Sequence, residues 1–107
     1  MITLYRGVRD PLQGAVVYQV DDQGEITPLP WRHTLLWWNH SPTGLEWGYG
    51  GSGPAQLSLA LLGDVRGEKF AMTYYQRFKF EVVAALGREW TLTREQIDNW
   101  CEYQEQE

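Results

Sequence analysis

Cysteine is almost absent from this chain: Cys101 stands alone in 107 residues, so neither an internal disulfide nor a cysteine-built metal cluster can form. Long apolar runs are missing too. No stretch approaches the ~18 residues that span a bilayer, and Met1-Ile2-Thr3-Leu4-Tyr5-Arg6 lacks the apolar core of a secretion signal. A cytoplasmic protein without membrane contact is expected. Base is short relative to acid, with nine Lys and Arg against fourteen Asp and Glu and a net charge of -5. Nucleic-acid binding draws on phosphate neutralisation by Lys and Arg, so that balance disfavours it. Histidine is limited to His33 and His40. On a strand followed by a turn they fall on opposite faces or far apart, so no metal site is expected.

What is present fits one domain, residues 1–107, with 43% hydrophobic residues and a mean hydropathy of -0.45. The charge is uneven. Residues 1–88 hold eight acids and eight bases, whereas residues 89–107 hold six acids (Glu89, Glu95, Asp98, Glu102, Glu105, Glu107) against Arg94 alone. The whole net charge therefore sits at the end, on a helix whose Asp98 and Glu102 could face a basic partner.

Ile2–Arg9 and Ala15–Val20 alternate apolar and polar residues around Asp10-Pro11-Leu12-Gln13-Gly14, the pattern of a hairpin. Asp21-Asp22-Gln23-Gly24 reads as a second turn, and Pro28 and Pro30 confine the next segment to an edge or a loop. His33–Trp38 and Leu45–Tyr49 read as two further strands joined by a Ser41-Pro42-Thr43-Gly44 turn. That register sets Trp38 against Trp47 and Leu36 against Tyr49, and lays Trp37 over Gly48 beside Asn39 and Glu46. Periodicity then changes. An apolar helix starts near Pro54 and stops at Gly63, a second runs from Glu68 to Leu86 with Gly87 as its stop, and a third runs from Arg94 to Tyr103 behind a Thr93/Gln96 capping box. The expectation is an α+β fold: β-hairpins over 1–49 making a three- to four-stranded antiparallel sheet, a Gly-rich loop at 50–53, three helices over 54–103 packed on one face, and a frayed tail at 104–107. Trp47, Leu57, Leu61, Phe78, Val82, Ile97 and Trp100 are the expected core.

The run Trp47-Gly48-Tyr49-Gly50-Gly51-Ser52-Gly53-Pro54-Ala55-Gln56-Leu57 sets glycines before a helix N-terminus, a place where backbone N–H groups can hold an anion. At least one of Gly50, Gly51 and Gly53 is expected at positive φ. Gly48 to Gly53 spells G-x-G-x-x-G, but a dinucleotide fold needs a parallel strand after that helix, and here a second helix follows. A phosphate loop requires Lys where Pro54 stands, and a nucleophile elbow requires Gly there. No lysine or arginine adjoins the glycines in sequence. Ser52, His40 and Glu46 supply the residue types of a hydrolase, while their simpler roles are a capping hydroxyl for Ser52 and, for Glu46, pairing with an arginine or with backbone N–H groups of the loop.

Asn39-His40-Ser41-Pro42-Thr43-Gly44-Leu45-Glu46-Trp47 continuing through Leu57, together with Leu59–Leu62, Tyr75-Gln76-Arg77-Phe78-Lys79 and Tyr5-Arg6-Gly7, resembles an uncharacterised family of short bacterial and phage proteins, a domain of unknown function. The resemblance covers roughly residues 36–100 and the opening segment, and it carries no catalytic or ligand residue over. It implies a small protein often found on mobile elements. The leading expectation is a non-enzymatic protein that docks on another protein, a phage or mobile-element inhibitor of host machinery or defence, through Trp37, Asn39, Glu46, Tyr49, Asp98 and Glu102. The alternative is a receptor for a phosphate or signalling nucleotide, using Gly50, Gly51, Ser52, Gly53, Gln56 and His40. Hydrolysis by Ser52, His40 and Glu46 is a third. No resident cofactor is expected under any of them.

Overall fold

A glycine near the start of the chain decides how the sheet is completed. In the computed structural model, which describes residues 1–106, β1 (Ile2–Asp10) and β2 (Gly14–Asp21) form the expected hairpin, with Tyr5 opposite Gln19 and Gly7 opposite Val17. The Asp10 carboxylate accepts from the Leu12 and Gln13 N–H groups, and Asp21 from those of Gln23 and Glu25, which fixes both turns. A short third strand, β3 (Ile26–Pro28), pairs with β2 and ends at the edge where Pro28 can stand. On the far side of β1 lies β4 (Trp90–Thr93), giving an antiparallel order β3-β2-β1-β4. Gly7 faces Trp90 across that pairing, and a Cβ built on Gly7 would lie 2.2 Å from the indole. Any side chain at Gly7 would exclude β4.

This four-stranded sheet and three helices make up the expected α+β architecture, but two of the strands lie elsewhere. Arg32–Leu36 is a 3-10 turn, residues 45–49 form no ladder, and the fourth strand follows the second helix. The Trp38–Trp47 and Leu36–Tyr49 cross-strand pairs therefore do not exist. Tertiary contacts took the backbone groups such a hairpin would use. Gly48 N–H donates to the Val83 carbonyl and the backbone at 38–41 bonds to Gln56, while the Trp47 side chain is separately anchored by its indole donating to the Arg88 carbonyl.

Helix α1 (Ser52–Arg66) is buried all round from Gly53 to Leu62. It runs through Gly63, the expected stop, because Gly67 ends it: with φ +87°, Gly67 turns the chain directly into α2 (Glu68–Glu81). A 3-10 turn at Val83–Ala85 finishes α2 five residues short of the expected Leu86. Helix α3 (Arg94–Glu105) opens with both halves of the Thr93/Gln96 capping box. The tail expected to fray begins inside α3 with Gln104 and Glu105; Glu107 lies outside the described residues. The core joins Tyr5 and Val17 to the helices, and the buried Tyr5 phenol donates to Asp64 of α1, which together with burial raises its pKa well above the usual phenol value. Trp47, Leu57, Leu61, Phe78 and Ile97 are buried as expected, whereas Val82 and Trp100 are half-buried at the margin.

Candidate functional site

Close packing, not left-handed backbone, accounts for the glycines before α1. None of Gly50, Gly51 and Gly53 has positive φ; within the run only Gly48 does, at +87°. A Cβ on Gly53 would lie 2.6 Å from the Glu46 Cβ, one on Gly51 would lie 2.4 Å from the Tyr49 ring, and one on Gly50 would lie 3.3 Å from the Phe80 ring. Gly51 is the N-cap of α1, and no side chain caps the helix. Ser52, expected to cap, is instead the first helical residue and is exposed. Ser52 and Gly53 do border a cavity of about 600 Å³ with Ser41, Thr43, Glu46 and Tyr49, in which the one charged lining side chain is the Glu46 carboxylate. That carboxylate is paired with Arg9, and no basic side chain lines the cavity to meet the phosphate this N-terminus was expected to hold.

Gln56 is fully buried, and its amide is occupied on every side. The Oε1 atom accepts from the His40 N–H at 2.9 Å and the Ser41 N–H at 3.1 Å, while Nε2 donates to Thr34 Oγ1 at 2.8 Å and to the Trp38 carbonyl at 3.1 Å. Two lone pairs and two protons are all that a carboxamide offers, so Gln56 has no atom left for a ligand. Its effect is to hold residues 34–41 against α1. His40, thus fixed, shares a 2.9 Å hydrogen bond between Nε2 and the Tyr75 hydroxyl. Burial, and secondarily the charge of Lys79, lower its pKa below 6.5.

Around this clamp the surface is aromatic. Trp38 stacks against His40 at 5.6 Å and His40 against Tyr75 at 5.4 Å. One turn on from Tyr75, Lys79 sets its ammonium 4.3 Å from the centre of the Phe80 ring, and Phe80 lies on Gly50, beside Tyr49. Trp38, Tyr49 and Phe80 remain 53%, 52% and 65% exposed. Among the described residues, Lys79 thus adjoins the glycine loop in space, although none adjoins it in sequence. Asn39 is exposed between Trp38 and His40. Sequence reasoning missed Trp38, Lys79 and Phe80. The available signal was Phe80, an aromatic off the stripe of Ala71, Tyr75 and Phe78 that α2 buries.

Several expected partner residues turn inward. Trp37 does lie over a glycine, but it is Gly63 of α1, where a Cβ would meet the indole at 2.6 Å. Glu46 accepts from Arg9 at 2.6 Å, the arginine partnership expected of it, and Arg9 also lies 4.3 Å over the Trp47 ring. Asp98 and Glu105 both accept from Arg66, at 2.8 and 2.6 Å, so they tie α3 to the end of α1 and do not form a free acidic face. Glu102 stays exposed, remote in sequence from the aromatic patch. Ser52, His40 and Glu46 make no hydrogen bond with one another, since His40 engages Tyr75 and Glu46 engages Arg9. Among the described residues no three His, Cys, Asp or Glu side chains converge as metal ligands, and no helix is long and apolar enough to cross a membrane.

Comparison with known families gives one match: a family described as "Family of unknown function (DUF6166)", over residues 5–103. No curated protein and no solved structure matches the chain.

Proposed function

We propose that this chain, which belongs to that family of unknown function, is a non-enzymatic binding protein that docks on another protein through the patch of Trp38, Asn39, His40, Tyr49 and Phe80. The supporting observation is the exposure of three large aromatics, Trp38 at the Gln56 clamp and Tyr49 and Phe80 at the glycine loop. Each would gain by burial, and two of them are held by the core, Trp38 through Gln56 and Phe80 through α2. Aromatic anchors on a pre-ordered surface are the usual centre of a protein interface, because they bury much apolar area at small entropic cost. The mobile-element setting implied by the sequence resemblance makes a host protein the partner, and inhibition of host machinery or defence the outcome.

What supports docking over the nucleotide alternative is lining and occupancy: the cavity at the start of α1 is lined by no basic side chain, and Gln56 is saturated. The test is affinity capture from host lysate with the wild type, a Trp38→Ala/Phe80→Ala double variant, and Leu12→Ala as a control at the exposed hairpin tip. A partner held by the wild type and Leu12→Ala is purified and its Kd measured against all three. The double variant should weaken binding ~30-fold or more, the effect of truncating an interface anchor. Equal affinity for all three would refute the patch as the docking site.

A further inference from the structure

Lys79 is 8% exposed, an unusual position for a lysine. No carboxylate of the described residues lies within salt-bridge reach of it. Its contact is the face of Phe80. Its stem is buried, but its ammonium is not among the sealed, unpaired polar atoms of the described residues, so it reaches water beside the Phe80 face and stays open to a counter-charge supplied from outside. The position of Lys79 is also fixed: it stands one turn from Tyr75, which is bonded to His40, and His40 is held through its backbone by Gln56. Burial and the positive charge of Lys79 keep that imidazole neutral, so it does not compete for an anion. Phe80 gives the ammonium one apolar wall, and Trp38 stacks on His40, the ring that the charge of Lys79 reaches.

We infer that Lys79 determines the specificity of the patch, and that the segment it receives is an acidic peptide of the partner protein: an Asp or Glu carboxylate that pairs with Lys79, flanked by an apolar side chain packed on Trp38 or Phe80. This rests on the docking reading. A free nucleotide would need an enclosing pocket, and none of the cavities of 240–600 Å³ described in this fold is lined by Lys79, Trp38 or Phe80.

Random 12-residue peptides displayed on phage are selected on the immobilised wild-type protein, and the enriched sequences are synthesised for titration. They should carry Asp or Glu next to an aromatic or large aliphatic residue. Lys79→Met should weaken them ~30-fold or more, as expected when one partner of a desolvated ion pair is removed, and Lys79→Arg should restore most of the affinity. Peptides with Asn for Asp or Gln for Glu should lose as much against the wild type, a comparison that needs no variant to fold. Enriched peptides without an acidic residue, or bound equally by folded Lys79→Met, overturn the inference and leave the docking reading standing. No enrichment, or enrichment that survives Trp38→Ala/Phe80→Ala, overturns both. Saturable binding of AMP or of oligo(dT), lost on Lys79→Met and stronger than that of any peptide, overturns the acidic peptide in favour of a free anion or a single strand.

Discussion

Replacing Gln56 by leucine removes four hydrogen bonds and leaves the side-chain volume nearly unchanged, which isolates the clamp from packing. The groups left behind are unequal. Thr34 Oγ1 keeps its bond to the Trp31 carbonyl, whereas the His40 and Ser41 N–H groups and the Trp38 carbonyl lose the Gln56 bonds that hold them. Thr34 is fully buried, but residues 38–41 are half-buried or exposed, so water can reach part of what is lost. At ~1–3 kcal/mol for each orphaned group, discounted for that access, Gln56→Leu should cost about 3–5 kcal/mol. A domain of this size has only ~5–15 kcal/mol in total. With an unfolding entropy of ~2.1 cal/mol/K per residue, the melting temperature should fall by roughly 13–22 °C. Urea denaturation followed by tryptophan fluorescence measures the first quantity and calorimetry the second. Amide exchange of His40 and Ser41 should accelerate well before the core opens. A loss under about 1 kcal/mol, with those two amides still protected, would refute the clamp and place the control of residues 34–41 elsewhere.

Gly63→Ala should destabilise by ~1 kcal/mol in urea titration, because the clash with the Trp37 indole outweighs a helix-propensity gain of similar size. In a Trp37→Ala background the same change should be neutral or stabilising, and stabilisation in the wild-type background would show that the indole moves aside freely. Cys101 is fully buried and its thiol is pushed up to about 11, chiefly by that burial; a thiol reagent at pH 8 should label it only at the rate of unfolding, and fast labelling without denaturant would contradict the burial. For His40 the folded pKa lies below 6.5, so between that pKa and 6.5 the unfolded chain binds more protons and stability should rise with pH, levelling off above 6.5. An NMR titration of the ring should show the low midpoint, and Lys79→Met should move it back upward; a midpoint at or above 6.5 in the wild type would refute both causes.

The parts of the fold that local chemistry dictates were legible in the sequence. Alternation and two Asp-led turns give β1 and β2, and Thr93 with Gln96 marks the start of α3, because in each case the partners lie within a few residues. Segment 33–49 was misread because its aromatic and β-branched residues suit a strand, while the bond partners that decide its course, Gln56, Val83 and Arg88, lie up to 41 residues away. Strand β4 has four residues, too few for alternation to register, and its place depends on Gly7 at the other end of the chain. For the site, the loop was found and its role was not. Glycine content announces that something needs room, and only the fold reveals that Glu46, Tyr49 and Phe80 take it.

The glycine run and the aromatic patch are therefore one construction. Gly53 lets α1 begin against Glu46, which puts Gln56 one turn inside the helix, where its amide can reach residues 34–41 and fix Trp38 and His40. Gly50 leaves space for Phe80, whose ring in turn covers Lys79. Sequence residues 38–56 and 75–80 thus depend on each other for a surface feature, and not only for stability. A side chain at Gly53 strikes the Glu46 Cβ and backbone and must displace the helix start, whereas one at Gly50 meets only an exposed ring at 3.3 Å, a tight contact that a shift of the ring relieves. Gly50→Ala should then shift Phe80 and weaken recognition at the patch with little change in stability, while Gly53→Ala should lower stability first. The reverse ranking would mean that the loop itself, and not the aromatics it arranges, is what a partner touches.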